Sequence, residues 1–354
     1  MGNMIFINLD GLADALDRFA EHVELWIPAA VPGRPSVVRF QRYEPGLEVV
    51  LDRLTNLSPK EAVQAQVETL LRFRTVKSED DPAAERLLLD DRIEARRALV
   101  FGVRPCDARA FLLSDEVFLQ GPYVDVYYGA HRRNTLLAAL VCREADHACF
   151  CSAVGGGPAD TAGSDLRIVP VEGGLVVEAL RVEAESLLEG MGSPASGSAR
   201  EEALWVVEEV STLRVGELDA GGSVDAFKNR FEDLEYWRSV AEPCLSCGIC
   251  TFVCPTCTCF TITDERRGLE GERLRSWDSC MFYQYTLEAS GHNPRPTKLE
   301  RYRNRVGHKF SYFPEKHEGR FSCTGCGRCI RFCPVSIDIR RAVSGLKENV
   351  CECP

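Results

Sequence analysis

The apolar positions of the chain change period several times along its length. From Asp10, the residues Leu12, Leu16, Phe19 and Val23 recur at helical spacing, which predicts an amphipathic helix. Ser58, Pro59 and Glu61 read as a capping box with proline at the first helical position. Val63, Val67, Leu70 and Leu71 then line one face of a second predicted helix. Continuous apolar runs at 98–103 and 136–141 read as buried strands, and 174–182 and 204–210 as further strands. The stretch GMGSPASGS at 190–198 reads as a surface loop. Phe227, Phe231, Leu234 and Trp237 predict a helix that delivers the chain to Pro243, and Ile339, Ala342, Val343 and Leu346 predict a last one. Helices interspersed with strands predict an α+β chain with two parts. Residues 1–225 form a mixed α/β docking domain, and residues 226–354 a second domain of a different kind.

That second part is organised by cysteine. The pattern C-x2-C-x2-C-x3-C-P occurs twice, as Cys244, Cys247, Cys250 and Cys254 with Pro255, and as Cys323, Cys326, Cys329 and Cys333 with Pro334. This is the bacterial ferredoxin run, in which the fourth cysteine ligates the cube of the other run. The expected ligand sets are therefore crossed: Cys244, Cys247, Cys250 and Cys333 for cluster one, and Cys323, Cys326, Cys329 and Cys254 for cluster two. Three thiolates from one tight loop require a backbone that wraps a sphere. Gly248 and Gly327 permit the φ this needs and let amides approach the cluster sulfurs, while Pro255 and Pro334 break each loop and fix its exit. Structural zinc would need four ligands, usually as two close pairs, and has no use for a regularly spaced third cysteine or a closing proline.

Composition narrows the setting. A length of 354 residues allows two domains, and a formal net charge of -11 argues against nucleic acid as a partner. Seventeen cysteines bunched in ligand spacings fit a reducing cytoplasm better than a secreted disulfide scaffold. The first ten residues lack a basic region and a long apolar core, so no signal peptide is expected, and no apolar run reaches the length of a membrane span.

Nine cysteines remain. Cys106 follows one predicted strand and Cys142 ends another, and Cys149 and Cys151 form a C-x-C pair whose members point to one side if the backbone is extended. These four could make a third 4Fe-4S site, with Gly155, Gly156 and Gly157 allowing close approach; buried core thiols are the alternative for Cys106 and Cys142. Cys257, Cys259 and Cys280 make a competing trio, either an extra site completed by another residue or thiols beside the first run. Cys351 and Cys353 read as frayed tail thiols. Between the two runs, residues 291–310 carry Arg295, Lys298, Arg301, Arg303, Arg305 and Lys309 against one acid, Glu300. Such a run is either a solvated loop or one that packs near the clusters and offsets their negative charge.

No H-E-x-x-H pairing, dinucleotide fingerprint or phosphate loop is present, so the chain is expected to have no catalytic site of its own. The passages FGVRPCDARAF (101–111), CFCSAVGGGP (149–158), CLSCGICTFVCPTCTCF (244–260), WDSCMF (277–282), GHNPRPTKLERYRNRVGHKF (291–310) and CTGCGRCIRFCPVSIDIR (323–340) resemble the iron-sulfur beta subunit of cytoplasmic sulfhydrogenase-type NiFe hydrogenases. An iron-sulfur component of anaerobic sulfite reductase and a flavin-oxidoreductase component found beside heterodisulfide reductase are similar. Ala153 stands where that pattern favours serine, and the CECP tail lies outside it.

The resemblance implies a two-cluster ferredoxin domain with a long insertion, acting as an electron relay. Its partners would be a flavin subunit that handles NAD(P)H and a separate catalytic subunit of hydrogenase, sulfite reductase or heterodisulfide reductase type. The alternative is an iron-sulfur redox sensor that regulates a partner. Because Arg328 and Arg331 flank cluster two where Ile249 and Phe252 flank cluster one, cluster two is expected to have the higher potential.

Overall fold

A computed structural model describes residues 4–77, 81 and 84–348. Twelve strands run in order: β1 Met4–Asn8, β2 Glu24–Val31, β3 Arg34–Arg42, β4 Val67–Lys77, β5 Glu85–Asp90, β6 Ala98–Val103, β7 Thr135–Leu140, β8 Leu166–Val171, β9 Gly174–Ala179, β10 Ser193–Pro194, β11 Phe260–Arg267 and β12 Glu270–Trp277. Eight of them form one sheet in the order β10-β1-β9-β8-β7-β6-β2-β3. Its centre, β2-β6-β7-β8, is parallel, and the flanking pairs are antiparallel.

Every residue of β6 is buried, as its unbroken apolar run requires, because both faces of the sheet are covered. On one face the helix Leu12–His22 seats Leu12, Leu16 and Phe19 against Ile27, Leu99 and Ile168. On the other, the helix Pro105–Phe118 packs Ala108 and Phe111 against Val100 and Leu137. The helix Pro105–Phe118 lies between β6 and β7 in the chain, so Cys106 and Cys142 both emerge from the carboxyl ends of neighbouring parallel strands. In open α/β sheets that edge is where ligands bind.

Several expectations need correction. The capping box at Ser58 opens only a 3-10 turn, Pro59–Ala62, and the Ser58 hydroxyl caps nothing. Val67, Leu70 and Leu71 belong to β4 instead, where the alternation of Arg72, Phe73, Arg74 and Thr75 with β-branched neighbours favours the period of a strand. Residues 204–210 are not a strand but part of the helix Gly197–Ser211, capped by Ser196, with Ala203, Val206 and Val210 buried on one side. The loop at 190–198 contains β10 and the first turn of that helix. Residues 227–237 fall in two helices, Ser223–Asn229 and Leu234–Ala241. Strand β9 stops at Ala179, and a short helix, Val182–Glu185, follows. Cys351 and Cys353 lie outside the described residues.

Four strands form a second, antiparallel sheet, β11-β12-β4-β5, so the insertion between the cysteine runs pairs with residues from the first third of the chain. Its anchor is Arg275, which is ion-paired with both Glu68 and Asp125. A further apolar cluster joins Phe227, Trp237, Tyr302, Val306, Phe310, Ile339 and Val343, and it also takes in Phe150, Val154 and Ala220 from earlier in the chain. The two cysteine runs lie against this cluster, Cys323 within it and Cys244, Cys250 and Cys329 packed on it. No helix among the described residues is long and apolar enough to cross a membrane.

Candidate metal centres

The two ferredoxin runs adopt the same local geometry. In each, a glycine in the left-handed region (Gly248 φ 75°, Gly327 φ 72°) precedes one helical turn, Ile249–Phe252 and Arg328–Arg331. Each turn carries the third cysteine, and the fourth with its proline follows. Two residues after each first cysteine the backbone is again left-handed, at Ser246 (φ 54°) and Gly325 (φ 66°). This turns an amide back onto the first sulfur: the Ser246 amide donates to Cys244 Sγ (3.4 Å) and the Gly325 amide to Cys323 Sγ (3.5 Å). Amides pointed at thiolate sulfur are what a cluster loop provides. Space at the glycines is constrained as well. A Cβ at Gly327 would lie 2.5 Å from the Ala148 carbonyl oxygen, and one at Gly248 would lie 2.7 Å from the Phe282 ring.

The eight sulfurs divide between two cavities. One is lined by Cys244, Cys247, Cys250 and Cys333, with Pro334, Tyr302 and Arg305, and Cys329 at its edge. The other is lined by Cys254, Cys323, Cys326 and Cys329, with Phe150, Lys309 and Ile339. Each fourth cysteine thus sits with the first three of the other run. Cys254, Cys323 and Cys326 are buried, whereas Cys247 is exposed. Zinc at about 2.3 Å from each sulfur would require the sulfurs to close to about 3.8 Å of one another. Among the described residues no three His, Cys, Asp or Glu side chains converge in the way a single ion needs.

The basic stretch is a helix rather than a loop. Lys298–Gly307 carries a full capping box between Thr297 and Glu300, and a π turn, His308–Tyr312, continues it. Leu299, Tyr302, Val306 and Phe310 make its apolar stripe, and beside that stripe Arg301, Arg305 and Lys309 are carried inward and buried. Arg301 is spent on structure, donating to the carbonyls of Met281, Arg295 and Pro296. Arg305 lines the first cavity, and its Nε and Nη2 have no hydrogen-bond partner. Burial works against its charge, but Cys250 and Cys329 beside it hold its pKa well above the usual value. Lys309 Nζ donates to Cys254 Sγ (3.5 Å), Thr256 Oγ1 (2.9 Å) and the Ser322 carbonyl (2.9 Å). There too burial is outweighed, by Cys254 and Cys257, and the pKa is raised. A buried guanidinium with idle N–H groups, in a cavity of thiols, suits a multiply anionic guest such as a thiolate-ligated cluster.

The four cysteines Cys106, Cys142, Cys149 and Cys151 also come together. Cys106 begins the helix Pro105–Phe118, and the Cys142 amide donates to the Pro158 carbonyl (2.9 Å). Burial raises Cys106, Cys142 and Cys151, the last to about 11, and each is raised further by the charge of another member of the set. The backbone is not extended across Cys149 and Cys151, because a 3-10 turn starts at Cys151 and closes on left-handed Gly155. Gly155 and Gly156 give room to the guanidinium of Arg109. The set abuts the second run: the Phe150 amide donates to the Gly325 carbonyl (2.8 Å), and Cys106 feels the charge of Cys326.

Cys257, Cys259 and Cys280 line neither cavity. The Cys257 thiol donates to Cys254 and holds it well below its usual range, against the effect of burial. Cys280 donates to Cys259, which is pulled down to about 6 against burial, helped by Tyr285. Lys60 stands over them, its Nζ donating to the Cys257 carbonyl (2.9 Å) and resting on the Trp277 ring.

A model described as a 4Fe-4S dicluster domain matches residues 243–337. Sulfhydrogenase 2 subunit beta of Pyrococcus furiosus is 33% identical over 259 residues, covering 71% of this chain and 75% of that protein. The chain belongs to the sulfhydrogenase beta subunit family. No solved structure was found that matches it.

Within this family member, two features escape a reading of the cysteines alone. Arg328 does not present free charge to the second cavity: its Nη1 and Nη2 donate to Asp107 Oδ1 (2.5 Å) and Oδ2 (2.8 Å), its Nε donates to the Thr55 carbonyl, and both side chains are 0% exposed. Arg331 is likewise paired, with Asp146 (2.9 Å). The expected source of positive charge is therefore neutralised, and Lys60, Arg305 and Lys309 have no carboxylate partner among the described residues. The spacing of 301, 305 and 309 beside an apolar stripe was the available signal for the last two.

Proposed function

We propose that this chain is the electron-transfer subunit of a multi-subunit oxidoreductase of hydrogenase type. Cys244, Cys247, Cys250 and Cys333 hold one 4Fe-4S cluster; Cys323, Cys326, Cys329 and Cys254 hold a second. The observation that carries this reading is the division of the eight sulfurs between two cavities in crossed sets, with the idle guanidinium of Arg305 in one of them. A cluster in such a site accepts or releases one electron at a time. The polypeptide supplies thiolates, amides directed at sulfur, and buried cations that compensate the added charge. Cys106, Cys142, Cys149 and Cys151 hold a third 4Fe-4S cluster next to the second, at the carboxyl edge of the parallel strands.

In this reading residues 226–354 are the ferredoxin domain with its insertion, and residues 1–225 dock partner subunits in the cytoplasm. The exposed ligand Cys247 marks the side at which electrons cross to a partner. Those partners are a flavoprotein that acts on NAD(P)H and a separate catalytic subunit. The decisive measurement is iron and acid-labile sulfide per purified chain. About twelve of each is expected, four per cubane; about eight removes the third cluster, and none removes the relay. A flavoprotein should co-purify with the chain from its native host.

A further inference from the structure

The inserted helix holds its two inward cations at different distances from sulfur. Lys309 donates directly to Cys254 Sγ in the second cavity, and its other two contacts, Thr256 Oγ1 and the Ser322 carbonyl, are neutral. Arg305, four residues earlier, lines the first cavity between Cys250 and Cys329, the one cysteine common to both cavities. It donates to no sulfur, and its Nε and Nη2 are idle. The other cations near the second run are cancelled, Arg328 by Asp107 and Arg331 by Asp146. Lys60 is satisfied by the Cys257 carbonyl and the Trp277 ring, and it lies on the same side as Lys309.

Reduction adds one negative charge to a cluster, and a cation is worth more to the reduced form the closer it lies and the drier the site. A hydrogen bond from a charged donor to a ligand sulfur acts in the same direction. We infer that Lys309 makes the cluster of the buried second cavity the preferred resting place of the electron, while Arg305 eases reduction of both clusters. The relay is then polarised inward, from the exposed Cys247 side toward Cys254 and Cys326. This rests on the proposal that both cavities hold 4Fe-4S clusters.

The test is potentiometric titration of the purified full-length chain followed by electron paramagnetic resonance. Wild type should show two resolved midpoints, and Cys247→Ser should alter the spectrum of the lower one, assigning it to the first cavity. Lys309→Met should lower the higher midpoint and leave the lower one in place, and Lys309→Arg should restore it. Arg305→Met should lower both. If Lys309→Met loses iron, Lys309→Gln, which keeps a donor without the charge, gives the same reading. A single unresolved midpoint in wild type, an unmoved higher midpoint in the neutral Lys309 variants, or a shift of the lower one alone overturns the inference. A wild-type chain without iron instead refutes the cluster assignment itself, which keeps the two failures apart.

Discussion

Asp107 and Arg328 form a dry ion pair between residues 221 positions apart, with Thr55 closing the guanidinium's remaining contacts. Removing one partner of such a pair leaves a buried charge uncompensated, at a cost of about 3–5 kcal/mol, whereas replacing both with apolar groups is often neutral. Asp107→Asn should therefore lower the unfolding free energy by about 3–5 kcal/mol in denaturant titration, and Asp107→Leu with Arg328→Met should recover most of it. This contact could not be read from either local sequence. Asp107 looked like a neighbour of Cys106, and Arg328 looked like a cation free to act on sulfur. By contrast the left-handed backbone at Gly248 and Gly327 was legible, because the ferredoxin spacing demands it. What the spacing did not reveal is that Ala148 and Phe282 fill the space a side chain there would need.

At the scale of elements, strands with both faces covered were plain from their unbroken apolar runs, as in β6 and β7. Elements with one wet face were misjudged where two signals competed, as when the S-P-x-E box before β4 outweighed the alternation after it. The basic stretch was ambiguous for another reason: its helical stripe of four apolar residues is narrow beside its charge. The inserted hairpin is secured by Arg275 between Glu68 and Asp125. Burial alone would raise the Glu68 carboxyl, but the hydrogen bond from His131 and the charge of Arg275 outweigh it and hold the pKa below the usual value. The folded chain thus favours the carboxylate more than the unfolded chain does. That stabilisation is complete above the ordinary glutamate pKa, about 4.3, and disappears as pH falls through the lower folded value. Glu68→Gln should melt below wild type at pH 7, and the gap should shrink steadily from pH 5 to pH 3 in thermal unfolding.

For the whole molecule, the eight ferredoxin cysteines and their crossed partition were readable because one inorganic body imposes a rigid spacing. The meeting of Cys106, Cys142, Cys149 and Cys151 was only suggested, since those residues are brought together by sheet topology rather than by one loop. The ferredoxin segment is also not self-contained. Phe150, Val154 and Ala220 complete its apolar cluster, and β12 has its outer neighbour in β4. Residues 226–354 expressed alone should therefore retain fewer than about eight irons per chain, four per cubane, by colorimetric assay. Co-expression with residues 1–225 should raise the count.

The pairing of β4 with β12 also imposes an order on biogenesis. β5 ends at Asp90 and can zip onto β4 at once, but the opposite edge of β4 has no mate until β12 emerges about 180 residues later. At ribosomal speeds of about 5–20 residues per second, that edge stays bare for roughly 10–40 s. An unpaired edge invites other strands, so the nascent chain passes through a window in which a chaperone, or the arginines at 72 and 74, must keep strangers away.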